Sequence, residues 1–209
     1  MKVHAKYLTS VMDAARLPAP ICPEIAFAGR SNVGKSSLIN SLLGEKIAKT
    51  SSTPGRTRAI NFFEVRPHGQ GRAEWMFVDL PGYGYAKLPT EVTAQWPAFI
   101  EPYLQKRESL VLSLVLVDMN IPPQASDRQM IDWLRAYGRP FFVIGTKADK
   151  LSGNKLTASL QALKSELGTD AIMPFSVRTG SGRAELWKEI RAACAAGGES
   201  SGGSAKSAD

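Results

Sequence analysis

With 209 residues, 44% of them hydrophobic, the chain can bury the core of one domain. Its two cysteines, Cys22 and Cys194, lie far apart in no metal-like spacing and are not expected to pair, and its most apolar run, Leu110 to Val117, is too short to cross a bilayer. A net charge of +7, from 26 basic and 19 acidic residues, suits a body that attracts polyanions. The N-terminal stretch is mixed and charged with no apolar h-region, so a cytoplasmic protein is expected, and a monomer. His4 and His68 are isolated and read as surface or loop residues.

In chain order, residues 1–22 read as an extension. "EIAFAG" from Glu24 is a short strand, and "GKSSLINSLLG" from Gly34 is a helix ending at Gly44. "INFFEV" from Ile60 and "EWMFVDL" from Glu74 are strands joined by a turn near "RPHGQG". "LVLSLVLVDM" and "PFFVIGTKAD" are buried strands with the helical "SDRQMIDWLRAYG" between them. "NKLTASLQALKSELG" is a helix, "IMPFSV" a strand and "RAELWKEIRAACAA" the last helix. The Gly- and Ser-rich residues 197–209 read as a disordered tail. Between Thr90 and Arg107 the spacing is helical, but Pro97 and Pro102 predict a kink or two short helices. Strand–helix alternation of this kind specifies an α/β fold with a mostly parallel sheet.

"GRSNVGKS", Gly29 to Ser36, fits G-x-x-x-x-G-K-[ST] and lies between a predicted strand and a predicted helix, the context the motif requires. Gly29, Arg30, Ser31, Asn32, Val33 and Gly34 would curl the backbone so that its N–H groups face phosphate oxygens. Lys35 would reach the β- and γ-phosphates, and Ser36 would ligate Mg²⁺. Asp79 closes an apolar strand, placed to hold that metal directly or through water. Leu80, Pro81 and Gly82 follow it, with the Gly82 N–H available to a γ-phosphate. In "TKAD", Thr146, Lys147, Ala148 and Asp149, the carboxylate can accept from both N1–H and the exocyclic amine of guanine, a donor pair adenine lacks. Backbone N–H groups of Phe175, Ser176 and Val177 are candidates for the guanine O6. The loop "KTSSTPGRTRAINFF" offers several hydroxyls, of which Thr57, just before a strand, is the chosen magnesium ligand and Thr53 the alternative.

Tyr83 follows Gly82 where many nucleotide hydrolases carry a water-orienting glutamine, so slow intrinsic turnover is expected. Tyr83, Tyr85 and Lys87 can meet unpaired bases and a phosphate, or the tyrosines can fold back on the domain. Three readings stay open: a GTPase switch, a binding module with negligible hydrolysis, and an ATPase or kinase on a similar fold.

"GRSNVGKSSLIN", "TSSTPGRT", "DLPGYGYA" and "TKAD" together resemble the EngB (YihA/YsxC) family of the Era/EngA/TrmE branch of GTPases, from about Pro23 to Ala192. The resemblance implies a Ras-like, three-layer P-loop GTPase domain over residues 23–196, with a six-stranded, mostly parallel sheet and helices on both faces. It implies GTP contacts at Gly29 to Ser36, at Gly55, Arg56, Thr57, Arg58 and Ala59, at Asp79 to Gly82, Thr146 to Asp149 and Phe175 to Val177, with magnesium on Ser36 and Thr57. It further implies a role in assembly of the large ribosomal subunit and a link to cell division and septation. Catalysis would fall to Lys35, Thr57 and Gly82. Two groups are candidates for the missing charge stabilisation. Arg56 could act as a finger in cis, and Asn32 could help hold a potassium ion, as in glutamine-lacking relatives of the Era/TrmE branch.

Overall fold

A computed structural model of the chain describes residues 3–49, 59–66, 71–83 and 100–200, with side chains through residue 197. Seven strands form one sheet in the order β1-β3-β4-β2-β5-β6-β7. They are β1 (His4–Val11), β2 (Glu24–Gly29), β3 (Ile60–Arg66), β4 (Trp75–Asp79), β5 (Leu110–Asp118), β6 (Phe141–Thr146) and β7 (Ile172–Pro174). The pairings of β2 with β4 and β5, of β5 with β6 and of β6 with β7 are parallel, while β1–β3 and β3–β4 are antiparallel. The expected α/β architecture is therefore present, with one more strand than the six expected. The addition is β1, inside the segment read as an extension: it runs beside the whole of β3, from His4 opposite Arg66 to Val11 opposite Ile60.

The helices are α1 (Lys35–Leu43), α2 (Ala125–Ala136), α3 (Gly153–Leu167) and α4 (Arg183–Ser200), with a further helical run over residues 100–106. Strand side chains alternate between the two faces and so divide the core. Ile25, Phe27, Leu112, Leu114 and Leu116 pack with Leu38, Ile39 and Leu42 of α1 and Leu186, Trp187 and Ile190 of α4. Ala26, Ala28, Val115 and Val117 pack on the other face with Tyr103 and Leu104 of the run 100–106, Ile131 and Leu134 of α2, and Leu163 of α3. α4 continues to Ser200, four residues into the stretch read as a tail. Residues 201–209, His68 and the first half of the Pro97/Pro102 segment lie outside the described residues. From 100 to 106 that segment is helical, Pro102 included.

A buried polar cluster fixes the end of the sheet farther from the β2 C-terminus. The Glu24 carboxylate accepts from Arg107 Nη2 at 2.6 Å, from Arg107 Nε at 3.0 Å and from the Tyr103 hydroxyl at 3.0 Å. Arg107 also donates to the Pro18 carbonyl at 2.8 Å, so this bidentate pair ties the run 100–106 and the N-terminal segment to the start of β2.

Candidate nucleotide site

The parallel strands β2, β4, β5 and β6 all end at one edge, where β2 lies between β4 and β5. Ligands of open α/β sheets bind at such a crevice. Gly29 ends β2, and a Cβ there would stand 2.8 Å from Val33 Cγ1 and 3.1 Å from the Leu116 carbonyl oxygen, so any side chain there would push the loop off β5. Asn32 at φ 65° and Gly34 at φ 111° turn the chain into α1. Gly34 caps that helix without a side-chain hydrogen bond, which leaves the N–H groups of its first turn for an anion.

The first residues of α1 turn back onto β4. Lys35 Nζ lies 3.0 Å from Asp79 Oδ1, with both side chains buried. Ser36 Oγ donates to Asp79 Oδ2 at 3.5 Å. The Lys35 contact falls short of hydrogen-bond geometry, so among the described residues Asp79 Oδ1 is a buried acceptor with no hydrogen bond. Ammonium, hydroxyl and carboxylate, chosen from the sequence as phosphate and metal groups, thus converge.

The segment after β4 lies on the phosphate loop. The Leu80 N–H donates to the Phe27 carbonyl at 3.1 Å. Gly82 rests against Ser31 so closely that a Cβ would come 2.8 Å from Ser31 Oγ. Tyr83 then forms a β-bridge with Arg30: its N–H donates to the Gly29 carbonyl and its carbonyl accepts from the Ser31 N–H, each at 3.3 Å. The Tyr83 ring turns inward to 8% exposure, and its hydroxyl donates to Asp127 Oδ1 at 3.2 Å. Of the two placements the sequence allows, Tyr83 takes the one folded back on the domain. Gly55, Arg56, Thr57 and Arg58, with Tyr85 and Lys87, lie outside the described residues. Ala59 is half-buried just before β3.

At the other end of the edge, Thr146 closes β6 and donates to the Val33 and Val117 carbonyls at 2.8 and 3.0 Å, joining the "TKAD" turn to the phosphate loop. Lys147 takes φ 59°, and its Nζ donates to Asp118 Oδ2 at 2.7 Å and to the Asn32 carbonyl at 3.2 Å. The Ala148 N–H donates to the Phe175 carbonyl at 3.2 Å. Asp149 Oδ1 accepts from Ser176 Oγ at 2.7 Å, and Oδ2 accepts from Arg178 Nε at 2.8 Å. The N–H groups of Phe175 and Ser176 donate to the Gly145 and Ser181 carbonyls, while Val177 stands exposed at the rim. Ser176 therefore reaches this end through its hydroxyl.

Residues 24–147 match the model of a family described as 50S ribosome-binding GTPase. A probable GTP-binding protein EngB of Koribacter versatilis (strain Ellin345) is 55% identical over 190 residues, which cover 91% of this chain and 94% of that protein. The chain belongs to the EngB family. A second probable EngB, from Acidobacterium capsulatum, is 55% identical over 192 residues, covering 91% of this chain and 90% of its own. In fold the chain is similar to a crystal structure of a probable GTP-binding protein engB, with a TM-score of 0.67 at 24% identity over 82% of this chain and 98% of that one. The molecule is thus a P-loop GTPase of the EngB family. No helix among the described residues is long and apolar enough to cross a membrane.

Two charged residues of this EngB-family site, and a third beside it, were not singled out by motif. Asp118 closes the apolar β5 much as Asp79 closes β4, and that carboxylate at a strand end was the available signal. Burial alone would raise its pKa, but hydrogen bonds from Lys147 and Asn120 outweigh burial and bring it below the usual carboxylate value. Arg178, one residue past "FSV", pairs with Asp149. Hydrogen bonds from Ser176 and then Arg178 hold the Asp149 carboxyl below its ordinary pKa, so it is an acceptor-only group at neutral pH. Asp127 lies within α2 and carried no sequence signal beyond a helix start.

Proposed function

We propose that this chain is a slow, magnesium-dependent GTPase switch in assembly of the large ribosomal subunit, acting as a monomer in the cytoplasm, with the link to cell division and septation that its family resemblance implies. The observation that carries the reading is the placement of two chemistries on one sheet edge: Lys35, Ser36 and Asp79 beside the phosphate loop, and Asp149, oriented by Ser176, beside the same loop's far side. Gly29 to Ser36 would hold the phosphates. Asp79 to Gly82, with Gly55 to Ala59, would sense the third phosphate, and Thr146 to Asp149 with Phe175 to Val177 would hold guanine. On binding, Lys35 would exchange part of its pairing with Asp79 for phosphate oxygens.

Magnesium fits the residues present. Asp79 is a buried carboxylate whose Oδ1 faces the Lys35 ammonium at 3.0 Å and, among the described residues, accepts no hydrogen bond, and the Ser36 hydroxyl already faces the same carboxylate. Ser36 and Thr57 would hold the ion directly and Asp79 through water, and the ion would supply charge neutralisation at the phosphates. Slow turnover is supported by Tyr83, which stands after Gly82 in place of a water-orienting amide and turns its hydroxyl inward to Asp127. The test is binding of purified large ribosomal subunits with a non-hydrolysable GTP analogue and with GDP, across a salt series. Stronger, salt-sensitive binding with the analogue is expected. Equal binding in both states would remove the switch.

A potassium ion is the proposed source of the charge that a glutamine-lacking site requires. Asn32, exposed and at positive φ on the phosphate loop, is its proposed side-chain ligand. Hydrolysis in potassium and in sodium at equal ionic strength is expected to differ for the natural chain and to become equal in Asn32→Ala. Equal rates in both salts for the natural chain would leave the ribosome as the activator.

A further inference from the structure

We propose that Asp127 is a specificity-determining residue for the nucleotide state: through its hydrogen bond to Tyr83 it holds residues 82–83 against the phosphate loop and so disfavours a third phosphate relative to two. The inference rests on the phosphate loop being the nucleotide site.

Asp127 is a prepared anchor. It is 3% exposed, and its Oδ2 accepts from the Gln124 N–H at 3.0 Å within the capping box that starts α2. That bond fixes the carboxylate and aims Oδ1 at the Tyr83 hydroxyl. The helix N-terminus favours a negative charge there. Burial raises the Asp127 pKa above the ordinary carboxylate value, and the Gln124 N–H, the Arg30 charge and the Tyr83 hydroxyl offset only part of that rise.

The other half of the latch is backbone. The bonds from Tyr83 N–H to Gly29 and from Ser31 N–H to Tyr83 are long, at 3.3 Å. The buried phenol adds a further tie on the same residue, to Asp127. While they are made, Gly82 lies directly on Ser31, and the Ser31 N–H is committed to protein. A γ-phosphate sensed by the Gly82 N–H has to enter on that side of the loop, whereas a diphosphate does not. An interaction that stabilises the closed arrangement lowers the apparent affinity only for the ligand that must open it.

The experiment measures affinities for GDP and for a non-hydrolysable GTP analogue in the full chain, in Tyr83→Phe, in Asp127→Asn and in the double variant. Tyr83→Phe removes one oxygen and keeps the ring in the core. Asp127→Asn keeps an acceptor for the Gln124 N–H and turns an NH₂ toward the phenol, which exchanges a bond to a carboxylate for a weaker neutral one. The analogue-to-GDP affinity ratio is expected to rise about tenfold in Tyr83→Phe, the scale of one hydrogen bond to a charged group, and by less in Asp127→Asn, with GDP affinity unchanged. The double variant should match Tyr83→Phe, because without the phenol there is no bond left for the Asp127 change to weaken. A ratio unchanged in Tyr83→Phe, or additive effects in the double variant, would overturn the latch. A natural chain that bound neither nucleotide would overturn the site reading and the latch together, whereas binding with a flat ratio overturns the latch alone.

Discussion

Asp149→Asn is expected to weaken GTP binding by at least about 100-fold and to bring in xanthosine triphosphate as the preferred ligand. Guanine presents two donors, N1–H and the exocyclic amine, and needs two acceptors on one group. Asp149 offers them as an ionised carboxylate, its pKa held down by hydrogen bonds from Ser176 and Arg178. An amide offers one acceptor and one donor, and the hydroxyl of Ser176, 2.7 Å from Oδ1, decides which is where. Ser176 donates, so the amide oxygen would take the Oδ1 position and the NH₂ the Oδ2 position. There the NH₂ opposes the Arg178 guanidinium, another donor, and one donor of guanine. It matches the carbonyl that xanthine carries in place of the guanine amine. Titrations of the two triphosphates against natural and substituted chains give the ratio directly. An unchanged GTP affinity would mean that the base does not sit on Asp149.

What could be read from the sequence divides by distance along the chain. α1 was legible in full because both its ends are glycines at positive φ, Gly34 and Gly44, flanking a continuous helical stretch. The phosphate loop and "TKAD" were legible because each motif is a local string whose residues remain neighbours. β1 was not, because only Val11 of its eight residues is buried. It gains its place by pairing with β3, more than 40 residues away, and not by an apolar pattern of its own. The end of α4 was hidden for a different reason. Gly197 reads as a helix breaker, yet it packs against Val111 of β5 where a Cβ would collide, so a tertiary contact outweighs helix propensity. The same rule governs the site. Asp118 meets Lys147 only because β5 and β6 pair with Asp118 opposite Thr146, and Asp127 meets Tyr83 only because α2 starts beside the end of β4. These partners are set by topology, which short motifs do not encode.

Lys35→Ala is expected to cost nucleotide affinity by two orders of magnitude or more, and also to destabilise the protein without nucleotide. The sequence suggested a lysine that waits at a phosphate and is dispensable to the fold. The buried contact with Asp79 adds a structural role. Removing one member of a buried ion pair strands the other charge, a penalty of roughly 3 kcal/mol. The two effects are separable. In Lys35→Ala with Asp79→Asn no charge is stranded, so the melting temperature should return most of the way to that of the natural chain. Nucleotide binding should not return, because the phosphates have lost their ammonium and the metal has lost its carboxylate. Thermal melts and GDP titrations on the natural chain, the two single variants and the double variant measure both quantities. If stability and binding recover together in the double variant, Lys35 acts only through Asp79 and never meets a phosphate. If neither single variant changes the melting temperature, the pair contributes nothing to the fold, and the loss of binding reports the phosphate contact alone.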